Sequence, residues 1–167
     1  MDTAVEVIRF VQKDEVEEAL WLLNRVQIQR GKEKRAVAEA LELAGPGEEE
    51  GKRFKTGEAA ERMEVTPSAI RYWERSGYLY PVRNPESGYR MFDRLQLARI
   101  SLLKALNHPY YTSESADLKL KFKKPELKGE KGCLVLADEV MKLLHMRNRN
   151  QVRAYSSLED LFVMLGK

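Results

Sequence analysis

A group of hydrogen-bonding side chains recurs at helical intervals near the middle of the chain. Ser68, Arg71, Tyr72 and Arg75 are spaced so that an α-helix would bring them to one face. Their hydroxyl and guanidinium groups donate hydrogen bonds, and an arginine can bind a phosphate or a guanine edge through two parallel bonds. This chemistry is that of a binding surface for nucleic acid rather than that of a catalytic site.

The residues around this group predict a short helix with defined ends. Thr66 is a good N-cap because its hydroxyl can accept a hydrogen bond from an N–H of the first turn. Pro67 follows at the position where a missing N–H costs nothing, and Gly77 suits the position beyond the C-terminal cap. The side chains expected to face inward are Ala69, Ile70 and Trp73. The helix would therefore be anchored on one side and open on the other.

A second short helix is predicted immediately upstream. Residues 56–63 place small and apolar side chains on one packing face, and only Glu64 and Val65 separate them from the capping Thr66. Two short amphipathic helices joined by so tight a turn are typical of a helix-turn-helix. The second helix of this motif enters the major groove of DNA.

The segment that follows predicts a wing. Two short apolar and basic runs, residues 79–83 and 89–92, flank a turn sequence at 84–88 and indicate a β-hairpin. Asp93 would then cap a further helix, Arg94 to Leu106. The fold class we predict is mainly α: a winged helix-turn-helix domain with an N-terminal helical segment and a C-terminal α+β extension.

In order and spacing, residues 54–106 resemble the DNA-binding domain of the MerR family of bacterial transcription regulators. The matching motifs are Phe54–Ala60, Val65–Glu74, Gly77–Leu79, Pro81–Arg83 and Gly88–Phe92. The resemblance implies a homodimer that binds a palindromic promoter element in double-stranded DNA and bends or untwists it. It also implies that the wing residues Arg83, Tyr89 and Arg90 lie along the flanking backbone, with Tyr72 and Lys55 near phosphates.

The predicted DNA-binding residues are Lys55, Thr66, Ser68, Arg71, Tyr72, Arg75, Arg83, Tyr89 and Arg90. Some of them have alternative roles. Arg71 could be a surface charge paired with Glu74, and Tyr72 could cover the apolar edge of its helix. Tyr89 and the stem of Arg90 could instead pack within the hairpin.

The distribution of charge supports the position of this surface. The net charge of +3 divides into −5 for residues 1–51, +5 for residues 52–106 and +3 for residues 107–167. The basic excess therefore includes the segment with the groove-binding pattern, as binding to phosphates requires.

Residues 1–44 are expected to form three helices that either mediate dimerisation or simply pack together. Asp14 would cap the second helix and Gly31 would end it. The first helix would bury a stripe of Val5, Ile8 and Val11 (or Phe10), and the second a wider face of Val16, Ala19, Leu20, Leu22, Leu23, Val26 and Ile28. Residues 45–52, which carry an acidic run, would form a linker to the winged domain at 53–106.

Residues 107–167 form the C-terminal extension, which either binds a partner or effector or only completes the fold. Its alternating run 118–124 predicts a strand, and residues 133–136 a second strand that pairs with it. Residues 137–145 predict a helix. We also expect Asn107–Pro109 to end the preceding helix and residues 110–115 not to be helical. Ser157 with Asp160 would cap a last helix.

Composition and motifs narrow the function classes. Cys133 is the chain's single cysteine, and with His108 and His145 it gives little support for a metal site, so no cofactor is expected. No apolar run is long enough to cross a bilayer, and we expect a cytoplasmic, nucleoid-associated protein without enzymatic activity. Two alternatives to a transcription regulator stay open. One is an architectural or excisionase-like DNA-binding protein, and the other is a protein-interaction adaptor that reuses the winged domain.

Overall fold

The computed structural model describes residues 3–47, 50–107 and 113–165. The helices are α1 (Thr3–Gln12), α2 (Val16–Ala44), α3 (Thr56–Arg62), α4 (Pro67–Arg75), α5 (Arg94–Leu106), α6 (Ser113–Lys121) and α7 (Glu130–Leu165), with a 3₁₀ turn at Pro125–Leu127. The strands are β1 (Phe54–Lys55), β2 (Val82–Arg83) and β3 (Arg90–Phe92). The predicted mainly α fold with a winged helix-turn-helix is confirmed.

The winged domain contains the predicted helices and one strand that the prediction missed. The β2–β3 hairpin pairs Val82 with Met91, and β1 adds to the other side of β3 by pairing Phe54 with Phe92. The antiparallel strand order is therefore β1-β3-β2. Two residues are too short for a detectable alternation, so nothing local marked β1 as a strand.

The tip of the wing is held by its own turn residues. The Asn84 side-chain oxygen accepts hydrogen bonds from the backbone N–H groups of Glu86 and Ser87, at 3.0 and 2.9 Å. Gly88 adopts φ +68°, a conformation that glycine reaches without steric cost. The hairpin is thus shaped by local sequence chemistry.

The larger of the two hydrophobic clusters in the described part of the chain crosses the predicted segment boundaries. Leu97, Leu102 and Leu103 of α5 lie in the same buried cluster as Ala40 of α2 and Val140 of α7. Helices from both flanking segments therefore pack against α5 of the winged domain, and α2 and α7 also pack against each other.

The N-terminal segment differs from the prediction at Gly31. The helix α2 continues through this glycine instead of ending there, because buried residues on both sides of it, such as Leu22 and Ala36, hold the helix against the rest of the fold. The residue before α2 is Glu15, which makes no side-chain cap, and Asp14 has φ +66°. The predicted cap at Asp14 was therefore wrong.

The buried faces of the first two helices are also narrower than predicted. In α1, Val7 and Val11 are buried, whereas Val5 and Ile8 are 43% and 41% exposed. In α2, Leu20 and Ile28 are exposed, and the buried positions of its first half are Ala19 and Leu22. This half packs on α1, which is too small to cover a wide apolar face.

The C-terminal extension is helical where strands were predicted. Leu118 and Phe122 are buried four residues apart while Leu120 is exposed, which is the spacing of α6 rather than of a strand. The second predicted strand, residues 133–136, lies inside α7. A short apolar run cannot distinguish helix from strand by alternation alone, so the α+β expectation for this extension was wrong.

The other local expectations for the extension had mixed outcomes. The helix α5 ends at Leu106, with Asn107 as its cap, as predicted. Ser113–Ser115 are helical, contrary to prediction, and α7 runs without interruption through 157–160, where a new helix was expected to start. The rest of the non-helical prediction, 110–112, and the helix-breaking residues His108 and Pro109 lie outside the described residues.

A close approach of two backbones explains one glycine of the extension. A Cβ added to Gly132 would lie 2.3 Å from Leu127 Cα, so only glycine lets the first turn of α7 meet the 3₁₀ turn.

No helix in the described ranges is both long and apolar enough to span a membrane.

Candidate nucleic-acid interface

The helix α4 is fixed at both ends by residues that the sequence had indicated. The Thr66 hydroxyl accepts a hydrogen bond from the Ala69 N–H at 3.1 Å, and Pro67 begins the helix. At the other end Gly77 has φ +76°, and the Tyr78 N–H donates to the Trp73 carbonyl at 2.9 Å. This pairing is the Schellman motif, which ends helices at a left-handed residue.

The inner side of α4 is anchored in the core. Ile70 and Trp73 are buried in the hydrophobic cluster that α5 also enters. The turn before α4 is compact, because the Val65 N–H donates to the Ala60 carbonyl at 3.0 Å. The capped and anchored helix therefore presents its other side in a fixed orientation.

The outer side of α4 carries the predicted group, which we call the α4 face: Ser68, Arg71, Tyr72 and Arg75. All four residues are exposed, and Tyr72 retains 53% of its accessible surface. Within the described residues neither Arg71 nor Arg75 forms an ion pair. The alternative pairing of Arg71 with Glu74 is thus not present, since Glu74 is bound elsewhere.

The partner of Glu74 is Arg90 on the wing. Arg90 Nε donates to both Glu74 carboxylate oxygens, at 2.8 and 2.6 Å. The pair is half-buried, and it joins β3 directly to α4. Arg90 therefore positions the wing relative to the α4 face. The local sequence around Arg90 and around Glu74 does not predict this role.

The remaining predicted wing residues lie on an exposed surface. Arg83 donates to the Gly88 carbonyl at 3.0 Å and so braces the wing turn. Tyr89 is 59% exposed, and Lys55 Nζ lies 5.2 Å from the centre of its ring. Lys55 and Tyr89 are thus neighbours although 34 positions separate them in the chain. The wing offers cationic and hydroxyl donors beside α4.

The structure gives a structural role to one arginine that was predicted only as part of a helix. Arg99 of α5 is fully buried and donates to the Tyr78 and Leu127 carbonyls, at 3.1 and 2.9 Å, and to that of Phe122. Its guanidinium also stacks 4.7 Å from the Tyr80 ring centre. We call Arg99, Tyr78, Tyr80, Phe122 and Leu127 the Arg99 seam.

The Arg99 seam connects the extension to the segment between α4 and the wing. Tyr80 Oη donates to the Lys128 carbonyl at 2.9 Å, and the Tyr80 N–H donates to the Gln96 side chain at 3.0 Å. Burial raises the pKa of Tyr80 to about 12, although the Arg99 charge opposes the shift. Burial also lowers the pKa of Arg99. The seam is a desolvated polar junction, not a ligand site.

A second arginine of α5 holds the end of α2. Arg94 donates to the carbonyls of Leu43, Ala44 and Gly45, at 3.1, 2.6 and 2.9 Å. It also pairs with Glu130 at 2.9 Å, in the first turn of α7. The predicted linker therefore starts from a fixed point on the winged domain.

Two of the weakly supported metal ligands, Cys133 and His145, lie within the described residues, where they belong to no candidate metal site. Cys133 is buried in the core, and burial raises the pKa of its thiol to about 11. His145 is exposed, and His108 lies outside the described residues. In the described part of the chain no group of three His, Cys, Asp or Glu residues could hold a metal ion.

These features define a winged helix-turn-helix domain with an open cationic face. Residues 54–119 match the model of the MerR HTH family regulatory proteins. Over this segment the chain is therefore similar to the MerR helix-turn-helix regulators. The match continues beyond the predicted limit at 106, so the family pattern also covers the start of the extension, contrary to the expectation that it ended at Leu106.

A relative supports the same segment. The chain is 31% identical over 65 residues to the mercuric resistance operon regulatory protein of Bacillus cereus. The aligned region covers 39% of this chain and 49% of the relative, so the chain spans about half the length of the curated relative that it matches. No solved structure matches the chain.

Proposed function

We propose that this chain is a sequence-specific double-stranded DNA-binding transcription regulator with no catalytic role. The observation that carries the proposal is the α4 face of a MerR-type domain, where Arg71 and Arg75 are exposed and form no ion pair with any described residue. An exposed cation without a protein partner is available for an anion, whereas a buried or paired one is not. The name of the Bacillus cereus relative, a regulatory protein of an operon, agrees with this role.

The α4 face would supply specificity. Arg71 would bind a guanine edge through two hydrogen bonds, an interaction worth about 1–3 kcal/mol of discrimination. Ser68 and Tyr72 would contact neighbouring base edges or phosphates, and Arg75 the adjacent backbone. Thr66 would stay close to the DNA while its hydroxyl caps the helix.

The wing would supply affinity through phosphates. Lys55, Arg83 and Tyr89 offer donors on one exposed surface, and each neutralised phosphate releases counterions. Arg90 uses its Nε to hold Glu74, so its remaining nitrogens would be the ones that approach the backbone. Specific and non-specific binding would then share a strong dependence on salt.

We further propose that two copies bind a palindromic site and distort the promoter. One short helix reads few base pairs, and a two-fold arrangement of two such helices doubles the contacts with a fixed spacing. Distortion of the DNA between the half-sites would make regulation depend on deformability as well as on contact.

The effector of this regulator, if it has one, should not be a thiol-binding metal ion. The single cysteine is buried and its raised pKa keeps the thiol protonated at neutral pH. We therefore propose that mercuric ion at stoichiometric concentration leaves DNA binding unchanged, in contrast to what the name of the relative would suggest for that protein.

Selection of bound duplexes from a random pool tests the proposal. We expect an inverted repeat whose half-sites are about one helical turn, or a multiple of it, apart. Sedimentation of the complex should give two chains per duplex, and circularly permuted fragments of the site should show a bend. Failure to enrich any sequence would contradict specific recognition.

Mapping of binding over the genome, together with the selected site, separates the alternatives. Enrichment of a site that occurs at promoters supports a regulator, whereas binding spread broadly over the genome would indicate an architectural protein. No binding to any duplex at low salt would leave the adaptor as the remaining alternative.

A further inference from the structure

The most concentrated run of positive charge in the chain lies outside the winged domain. Residues 119–131 hold six lysines and two glutamates. Some of these charges are neutralised within the fold, because Lys121 pairs with Glu139 at 2.7 Å and Glu130 with Arg94 at 2.9 Å. Four exposed lysines of this run make no ion pair within the described ranges. Lys131 lies in the first turn of α7, and the three that precede this helix we call the lysine ridge: Lys123, Lys124 and Lys128.

The lysine ridge lies against the segment that joins α4 to the wing. Lys123 Nζ lies 5.3 Å from the centre of the Tyr78 ring, and Lys128 Nζ lies 4.8 Å from that of Tyr80. Both tyrosines stand between the end of α4 at Arg75 and the start of β2. The ridge is therefore next to the two elements that we propose to contact DNA.

The ridge is also held in place rather than carried on a loose loop. Arg99 donates to the carbonyls of Phe122 and Leu127, which flank the ridge lysines in sequence, and Tyr80 Oη donates to the Lys128 carbonyl. Contact of the Lys123 and Lys128 ammonium groups with aromatic faces limits the conformations of these two side chains further. Fixed cations lose less entropy on binding an anion than mobile ones do.

We infer that the lysine ridge is a second phosphate-binding surface, which contacts the DNA backbone beyond the part of the duplex covered by α4 and the wing. Lysine acts on phosphate as a point charge, so the ridge would add affinity and a longer footprint without adding sequence information. An acidic protein partner is less favoured by the position, since the ridge adjoins the proposed DNA surface. This inference rests on the proposed function, because it requires that α4 and the wing engage a duplex.

The test compares salt dependence in matched variants. The triple substitution Lys123→Gln, Lys124→Gln and Lys128→Gln removes the charges but keeps much of the side-chain length. The plot of log affinity against log salt should become shallower by about 0.9 for each lost contact, for selected and unselected duplexes alike. For three contacts, the loss of affinity between 50 and 200 mM salt would shrink by roughly 40-fold.

Two control variants isolate the position of the charge. Lys→Arg at the same three positions keeps both the charge and the aromatic contacts, so it should retain the wild-type slope. Gln at Lys13, Arg25 and Lys34 removes three exposed charges from the N-terminal segment and should leave the slope unchanged. The thermal midpoint of each variant shows whether lost contacts to Tyr78 and Tyr80 disturb the fold.

The length of the duplex supplies a second readout. Wild-type affinity should fall when the duplex is shortened on the side beyond the wing, and the Lys→Gln triple variant should be insensitive to this shortening. A Gln variant that keeps the wild-type slope and length dependence would overturn the inference while leaving the proposed function intact. If the wild-type chain and Arg71→Ala bind duplexes equally weakly, the proposed function fails and the ridge inference fails with it.

Discussion

The α4 face and the Arg99 seam use the same residue types for opposite purposes. On the α4 face, Arg71 and Arg75 are exposed beside Tyr72 and have no ion-pair partner within the described residues. In the seam, Arg99 is fully buried beside Tyr80, and carbonyl oxygens accept its hydrogen bonds. The comparison shows that the partners of an arginine, rather than its charge, decide whether it builds the fold or is left to bind a ligand.

The geometry of arginine explains why the seam uses it. A buried charge is costly unless its donors are satisfied, and a planar guanidinium can satisfy several acceptors at once. Arg99 reaches three carbonyls on two separate stretches of the chain and stacks on the rings of Tyr80 and Phe122. A lysine, with one nitrogen, could not reach the same set. The seam therefore fixes the extension to the connection between α4 and the wing.

Removal of the seam arginine should have the largest effect on stability. Arg99→Leu leaves three carbonyls without their donor, and each unsatisfied buried group costs about 1–3 kcal/mol. We expect urea denaturation to show a loss of at least about 3 kcal/mol in the free energy of unfolding. For Arg99→Lys, the free energy of unfolding should lie between that of the wild type and that of Arg99→Leu. A loss below about 1 kcal/mol for Arg99→Leu would refute the role given to the seam.

Two glycines test the packing around the seam against that of the N-terminal segment. Gly132→Ala places a Cβ against the Leu127 backbone, so we expect a loss of about 1–3 kcal/mol from forced backbone movement. Gly31→Ala is the matched control, since it lies in α2 with no atom within 4 Å of an added Cβ. It should raise stability by about 0.5–1 kcal/mol because alanine favours helix. Destabilisation by Gly31→Ala would argue against a continuous α2.

On the α4 face the expected effect is on affinity instead of stability. Arg71→Ala should weaken binding to the selected site by about 5- to 150-fold, which corresponds to about 1–3 kcal/mol. Its unfolding free energy should stay within about 0.5 kcal/mol of the wild type, because the side chain is exposed. Fluorescence anisotropy and thermal denaturation measure the two quantities, with exposed Arg25→Ala as the control that should change neither. An equal loss of affinity in both variants would remove the special role of Arg71.

We expect alkaline pH to lower the stability of the fold slightly through groups in and near the Arg99 seam, and not through the α4 face. Burial raises the pKa of Cys133 from 9.0 to about 11 and that of Tyr80 from 10.0 to about 12. The unfolded chain then loses these protons first, so stability is flat below pH 9 and falls as the pH rises towards 12. In Tyr80→Phe the decline of the urea midpoint above pH 10 should be smaller. An unchanged decline in this variant would show that the Tyr80 hydroxyl does not contribute.

The parts of the fold that could be predicted are those marked by local chemistry. Thr66 and Asp93 cap helices because their side-chain oxygens reach N–H groups three residues ahead, which any chain with that spacing can do. Gly77 and Gly88 adopt positive φ where the pattern required it. The same reasoning failed at Gly31, because a glycine inside a helix costs only about 1 kcal/mol and packing on either side of it outweighs that cost.

The candidate site likewise has one part that the sequence predicts and another that it does not. The exposure of the α4 face followed from helical spacing, but the Arg90–Glu74 pair and the Lys55–Tyr89 contact join residues far apart in the chain. The prediction failed more completely for the extension, because an apolar run such as residues 133–136 is compatible with a strand and with a helix. Only their packing against α5 and α2 distinguishes the two.

The sequence alone determined the winged domain, the capped helix and the outward direction of Arg71, because caps, turns and helical spacing act over a few residues. The tertiary structure decided that α2 is continuous, that the extension is helical, and that Arg99 is buried while Arg71 is not. These outcomes depend on which distant surfaces meet, since burial and hydrogen-bond satisfaction are properties of the assembled core and not of any short segment.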